Sequence, residues 1–322
     1  MTPDAFAEIV ARANLAPSVH NVQPARWRLL PDGVEILCDG DVALTTSDPL
    51  GRDAGLSCGA AVEATVLALS TIGQGVDVHI TWAGAPQGRT LGPVARLTFA
   101  GDVAPLPLAT QLENRATFRG PFEEEPAALF GWTPESAILV TDKTRIHQIA
   151  IANDAASLRQ IRQAGVRTEL RDWMRLSARH PRAGRDGMDR DALRMSGIEA
   201  IGAGLVLGPL WPLVDRLGLT KGLLAEADAT RTAPVIAAFN RPDGEDPVTS
   251  GRAYLSMWLA ATALGFAGWP MAALTDDPES RAEMTRLVAL PQGRRLIQMI
   301  RFGKPTSDLP RRARRPISEL IV

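Results

Sequence analysis

The sequence predicts an α+β chain in which one series of elements occurs twice. Three observations carry that expectation. Residues 27–30 and 34–37, joined by Pro31-Asp32-Gly33, read as a β-hairpin. Residues 55–72 and 251–264 are apolar runs long enough for buried helices. Sliding the halves over one another by 192 residues places Gly59 on Gly251, Ala61 on Ala253, Leu67 on Leu259, Ala68 on Ala260 and Gly73 on Gly265, five identities in fifteen positions. Taken alone, that overlap is equally explained by shared Ala, Leu and Gly composition.

The elements follow in order. Thr2-Pro3-Asp4 has the form of a helix start, with Thr2 as cap and Pro3 at the first helical position. Phe6, Ile9, Val10 and Ala13 then share one face, and the helix is expected to end before Pro17. Beyond the hairpin and the first apolar helix, strands are expected at 76–82 and 94–99. The second half gives a strand at 137–140, a helix at 146–161, a strand at 234–239 and the second apolar helix. The uncharged run 253–275 has the length of a membrane span, but Gly265, Gly268 and Pro270 break it after about three helical turns. It reads as a core helix followed by a turn.

Composition narrows the function classes. A chain of 322 residues buries a large core and allows two domains, and 45% hydrophobic with 22% charged residues is ordinary for a globular protein. A net charge of −1 gives no global field for nucleic acid or an anionic membrane, so anion binding must be local. Cys38 and Cys58 form no close-spaced pair, and His20, His79, His147 and His180 are scattered, so neither a zinc site nor a disulfide framework is expected. Asp4 and Glu8 stand where a signal peptide has basic residues, and the cytoplasm is the expected location.

Two stretches carry chemistry. Residues 16–24 read Ala-Pro-Ser-Val-His-Asn-Val-Gln-Pro, in which Pro17 and Pro24 stiffen a segment holding Ser18, Asn21 and Gln23. Short polar side chains on a stiff loop reach a ligand at little entropic cost, although Ser and Asn after a helix also serve as turn formers. Residues 113–122 contain Arg115-x-Thr117-x-Arg119, whose spacing on a short helix puts both guanidinium groups on one side. Such a pair suits a phosphate monoester; a solvated charged turn is the other reading.

Together the Pro-Ser-x-x-Asn-x-Gln-Pro and Arg-x-Thr-x-Arg strings resemble signatures of the FMN-dependent nitroreductase superfamily. Three further stretches resemble it: Gly265-Phe-Ala-Gly-Trp-Pro270-Met-Ala-Ala273, the C-terminal Leu296-Ile-Gln-Met-Ile-Arg-Phe-Gly-Lys-Pro305 followed by Arg311-Arg-Ala-Arg-Arg-Pro-Ile-Ser-Glu-Leu-Ile321, and Arg167-Thr-Glu-Leu-Arg-Asp-Trp173 with Asp186-Gly-Met188. The resemblance as a whole is closest to the tandem, Acg-like branch and covers nearly the whole chain, this middle run included. There are departures: Ala25 stands where the family usually has Trp after Pro24, with Trp27 two residues on, and Ala272 stands where some members have Glu.

The resemblance implies a nitroreductase-like fold, a mixed and mainly antiparallel sheet flanked by helices. In ordinary members one chain carries both motifs and the flavin lies at a homodimer interface. Here each half keeps the motif that the other lacks, which points to a duplication within one chain: an internal pseudo-dimer with halves at 1–105 and 106–322, a lid-like insertion near 165–230, and one competent flavin site. FMN is the implied cofactor. Pro17, Ser18, Asn21, Gln23, Arg115, Thr117, Arg119, Arg314 and Arg315 are the implied contacts, with backbone at Pro270, Met271 and Ala272 facing the ring. The flavin carries the redox chemistry, so no catalytic side chain is expected. The implied activity is ping-pong reduction of a nitroaromatic or quinone by NAD(P)H. The alternative is FMN sequestration beneath the lid, a role open to Acg-like proteins. Without interleaved aromatics or excess positive charge, the arginines at 311–315 are not expected to bind nucleic acid. No membrane partner is expected, and the pseudo-dimer is compatible with a monomer or a further homodimer. The apolar stretch 200–217, broken by Pro209 and Pro212, is expected as cover or as a dimer-facing patch.

Overall fold

Two four-stranded antiparallel sheets form the frame, and both are woven in the same order. The computed structural model describes residues 1–124, 132–223 and 225–322. Helix α1 (Pro3–Ala13) precedes the first sheet, in which β1 (Ala25–Leu30), β2 (Gly33–Asp39), β3 (Gln74–Ile80) and β4 (Leu91–Asp102) lie as β1-β2-β4-β3, with α2 (Arg52–Ser70) between β2 and β3. The second begins with β5 (Ala137–Val140). After the short parallel pair β6 (Met174–Arg175) and β7 (Met188–Asp189), it continues with β8 (Val235–Pro242), β9 (Ala267–Pro270) and β10 (Arg294–Gly303), ordered β5-β8-β10-β9. First, second, fourth, third: the two sheets share one topology.

Local chemistry sets the boundaries. Thr2 caps α1 through the Ala5 N–H. Leu30 pairs with Gly33 across the hairpin, and the glycine is required by the neighbouring strand, since a Cβ there would lie 2.0 Å from the Leu97 carbonyl oxygen. Helix α2 starts earlier than its apolar run because Asp48 accepts from the N–H groups of Arg52 and Ala54, at 2.8 and 2.9 Å.

Between β5 and β8 the second half carries what the first lacks: α3 (Lys143–Arg162), α4 (Ala164–Asp172), α5 (Gly197–Val206), α6 (Trp211–Arg216), α7 (Thr220–Leu223) and α8 (Ala227–Arg231). Residues 165–230, expected as an insertion, lie within this stretch, and Leu224 among them lies outside the described residues. Leu207 and Trp211 pack on Leu158 and Ile161 of α3, whereas Ile198, Ile201, Leu213 and Leu217 are exposed. The apolar stretch therefore presents much of its aliphatic surface outward. Helix α9 (Pro247–Ala263), capped by Asp246, lies between β8 and β9, and α10 (Ala273–Asp276) and α11 (Pro278–Leu287) precede β10. No described helix is long and apolar enough to cross a membrane.

Helices α2 and α9 hold corresponding places in the two halves, and they cross at Gly59 and Gly251. A Cβ on Gly59 would lie 2.1 Å from the Val248 carbonyl oxygen, and a Cβ on Gly251 would lie 2.1 Å from that of Leu56. Leu56 and Val248 are themselves 192 residues apart, the offset read from the sequence. The contacts are reciprocal, as across a two-fold axis. Each helix also enters its partner's core: Val248, Leu255 and Leu259 pack with the first sheet, and Leu56 packs with the second. The C-terminus then returns to the first half, where Trp27 N–H donates to Leu320 O at 2.9 Å and Val322 N–H to Trp27 O at 3.0 Å.

Candidate functional site

The segment between Pro17 and Pro24 is held in an uncommon backbone state. His20, Asn21 and Gln23 have φ of 45°, 56° and 53°, the left-handed region that side chains other than glycine seldom occupy. Hydrogen bonds fix it. Ser18 Oγ accepts from Gln23 N–H at 3.0 Å. The Gln23 amide is buried and committed: Oε1 accepts from Asn14 Nδ2 at 3.0 Å and Arg315 N–H at 2.9 Å, while Nε2 donates to Arg185 O at 2.9 Å. Asn21 Nδ2 donates to Gly187 O at 3.0 Å and to Ala313 O at 3.2 Å, and its Oδ1 accepts from Arg314 Nη1 at 3.0 Å. Asn21 and Gln23 thus shape the loop and tie it to the insertion and the tail. Trp27 lies wholly in the first core, donating to Thr65 Oγ1 at 2.9 Å, and so takes no part at the loop.

Three arginines converge beside this loop. Arg115, 4% exposed, donates through Nη2 to Leu15 O at 2.9 Å, and Arg314 donates to the same carbonyl at 3.1 Å. Arg312 donates to Glu113 O. Arg115 Nε and Nη1 and Arg314 Nε are buried without a hydrogen-bond partner. Burial first, then Arg314 and Arg312, holds the Arg115 guanidinium well below its usual range, and burial followed by Arg312 brings Arg314 down to about 10. Buried positive charge with N–H groups unmet is a place that an anion would stabilise.

Arg115 and Arg119 do not sit together on a helix. Residues 116–118 run extended beside β9, with Phe118 N–H donating to Gly268 O at 3.1 Å and Gly268 N–H to Ala116 O at 3.2 Å. Backbone pairing decides the conformation, and it leaves residues 115, 117 and 119 on one side with Arg115 and Arg119 about 13 Å apart along the chain. Thr117 lies between them. Arg119 donates to Ala192 O at 3.0 Å and lies over the Trp269 ring at 5.7 Å.

Pro270 ends β9 opposite Ile300, and Met271 N–H donates to Met299 O at 2.7 Å with its side chain in the second core. The Met271 N–H is therefore spent on the sheet, and the first N–H beyond the ladder is that of Ala272. Arg315 is also turned aside. It joins Arg175 and Arg182 around the fully buried Asp186, at 2.9 Å to Oδ2, so the structure separates it from Arg314. Burial alone would raise the Asp186 carboxyl; Arg182, Arg315 and Arg175 outweigh it and hold the group below its usual range.

Other groups at the site had no motif to announce them. Arg312 lay unselected in the basic run, and His20 inside the Pro-Ser motif. His20 is brought down to about 4 by burial and then by Arg119, with Glu169 opposing. Arg301 lay unselected in the C-terminal stretch Leu296–Pro305, and Glu226 lay in no pattern. Cys38 and Cys58, 20 residues apart, do meet in the fold: both are free, and the Cys58 thiol is pushed well up by its hydrogen bond with Cys38 and by burial.

No family model matches the chain. Two proteins of Mycobacterium tuberculosis, named "Putative NAD(P)H nitroreductase" Rv3131 and MT3217, are each 34% identical over 120 residues, 36% of this chain and 34% of theirs. The M. tuberculosis protein of the same description named acg is 36% identical over 79 residues, 24% of each chain. The match thus spans about a third of the length of the first two relatives. Among solved structures, the FMN and NADPH-dependent nitroreductase NfnB from sphigopyxis sp. strain HMH is 16% identical over 64% of this chain and 95% of its own, with a TM-score of 0.35. NfnB from Mycobacterium smegmatis in complex with NADPH is 18% identical over 62% and 89%, with a TM-score of 0.32. Over these stretches the chain is similar in sequence to proteins that carry the name NAD(P)H nitroreductase, acg among them.

Proposed function

We propose that the chain is an FMN-dependent oxidoreductase that takes hydride from NAD(P)H and passes it to a small acceptor, a nitroaromatic or quinone, in a ping-pong sequence at one site shared by its two halves, 1–105 and 106–322. The carrying observation is the cluster of Arg115, Arg312 and Arg314, in which buried Arg115 and half-buried Arg314 keep unmet N–H groups that fit a phosphate. The loop with Ser18 and Asn21 comes from the first half and the arginines from the second, so both are needed. Bound FMN supplies the redox chemistry. The chain's part is to hold the phosphate on the three arginines, wall the ribityl chain with Ser18 and Thr117, and offer the Ala272 N–H to the ring beyond Pro270.

One observation favours sequestration as a second reading. The insertion is tied across the site by Asn21 to Gly187, Arg119 to Ala192 and Arg315 to Asp186, and Glu169 accepts from the N–H groups of Thr46 and Ser47 at 3.0 and 2.9 Å. An anaerobic spectrum of the FMN-loaded protein separates the two. Bleaching by NADPH or NADH supports the reductase; bleaching by dithionite alone supports sequestration; no bound FMN ends both. Replacing Arg115→Ala is expected to weaken FMN binding by about 2–3 kcal/mol, the loss of charge-assisted hydrogen bonds. Unchanged affinity on titration removes Arg115 from the site.

A further inference from the structure

Helices α5 and α6 leave an aliphatic face without cover. On α5, Ile198, Ile201 and Leu205 follow one another at three and four residues and are 85%, 68% and 45% exposed, while Ala200 is buried on the other side. In α6 and the turns that flank it, Leu210, Leu213 and Leu217 repeat that spacing and are exposed as well, with Trp211 packed inward on α3. The two faces are joined, because the Leu210 N–H donates to Leu205 O at 3.0 Å.

The size of the face is that of an interface. Its six side chains present roughly 600 Å² of apolar surface, the upper end of the largest patch on an ordinary monomer. Homodimer interfaces are about 65% apolar, so this surface corresponds to about 900 Å² on each copy, more than the ~800 Å² a side of a stable complex.

The chemistry of the face selects the partner. Helices that lie on a bilayer carry Trp or Phe at the surface among Lys and Arg. Here Trp211 is the aromatic residue of the stretch 197–219, and it is buried. The charged residues of that stretch are Glu199, Asp215 and Arg216; Glu199 accepts from the Ser196 N–H at 2.8 Å, and Asp215 pairs with Arg162 at 3.0 Å. A face so poor in charge does not repel a copy of itself, and it has no charge pattern to select an unlike protein. Its spacing is also self-complementary. The midpoint between Ile198 and Leu205 falls beside Ile201, so a two-fold axis at that point runs two α5 helices antiparallel, with Ile198 of each copy opposite Leu205 of the other and Ile201 opposite its own counterpart.

We propose that a second copy of this chain docks on this face, α5 against α5 about a two-fold axis at Ile201. The contact uses none of the residues assigned to FMN, so the dimer and the flavin reading stand or fall separately.

Sedimentation velocity of the full chain between about 0.1 and 100 μM tests it, since contacts of this size hold at micromolar concentration or tighter. The chain is expected to move as a species of twice its 34.5 kDa mass above about 10 μM. Ile201→Glu, which sets two carboxylates against each other at the axis, is expected to raise the dissociation constant at least about 100-fold with an unchanged circular dichroism spectrum, because the side chain is exposed in the single chain. Ile72→Glu, at an exposed residue beyond the end of α2, leaves it unchanged. Cys38 and Cys58 are buried, so Ile201→Cys places a thiol at the axis without competition, and oxidation is expected to link two such chains through it but not two Ile72→Cys chains. A wild-type chain that stays monomeric to 100 μM, or a dimer that Ile201→Glu leaves intact, overturns the proposal. Binding of a monomeric chain to anionic phospholipid vesicles that Ile201→Glu abolishes would give the face to a membrane and overturn it too.

Discussion

Arg115 carries its charge where burial and two neighbouring guanidiniums all act against it. Its weight in the account comes from that cost, which a bound phosphate would relieve. His20 shows the opposite adjustment. Its folded value of about 4 lies below the ordinary 6.5, so between those values the unfolded chain binds a proton that the native state refuses, and stability falls as pH drops through the window. Glu226 runs the other way, its raised value making stability rise as pH falls from about 7 toward 4.5. His20→Asn keeps a residue that accepts a positive φ and removes the titration. Urea midpoints of the two proteins should diverge between pH 6.5 and 4, with the wild type losing more; parallel curves contradict the assignment. At this scale the motif residues were legible because their spacing repeats a pattern. Arg301 was not, since its unmet N–H groups become evident only when β10 lies beside β9 and Thr230 of α8 accepts from its Nη1.

Among the elements, the two apolar helices and the hairpin declared themselves through period, length and turn residues. The segment 115–119 did not. Four-residue spacing fits one face of a helix, but the partner strand β9, about 150 residues away, supplies backbone acceptors that make it extended. The Asp186 cluster was hidden for a similar reason. Its arginines at 175, 182 and 315 come from three segments, and Met188 N–H donating to Trp173 O at 2.9 Å joins the two pieces of the Trp…Asp-Gly-Met pattern. The crossing of α2 and α9 offers a sharper test. Gly251→Ala sets a Cβ 2.1 Å from the Leu56 carbonyl, which backbone cannot avoid cheaply, and should destabilise by about 1–3 kcal/mol. Gly202→Ala, on α5 with open space around it, should be neutral or mildly stabilising. Equal effects on denaturant midpoints argue against a close crossing.

For the whole molecule, the duplication explains why one chain holds the two motifs in opposite halves. The shared strand order and the reciprocal Gly59 and Gly251 contacts support a pseudo-two-fold arrangement that composition alone left open. Symmetry is broken between β5 and β8: the segment that carries α3 to α8 has no counterpart in the first half's hairpin, and it includes Asp186 and Glu226. The outward-facing aliphatic residues of α5 and α6 were unreadable in advance, because hydrophobic sequence does not say which side of a helix is covered. The account's central claim is one flavin site per chain, made by residues of both halves around Arg115. Equilibrium titration of the apoprotein with FMN tests it most directly. The claim predicts saturation at one FMN per chain, with the tight phase lost in Arg115→Ala; two FMN per chain, or tight binding indifferent to Arg115, would contradict it.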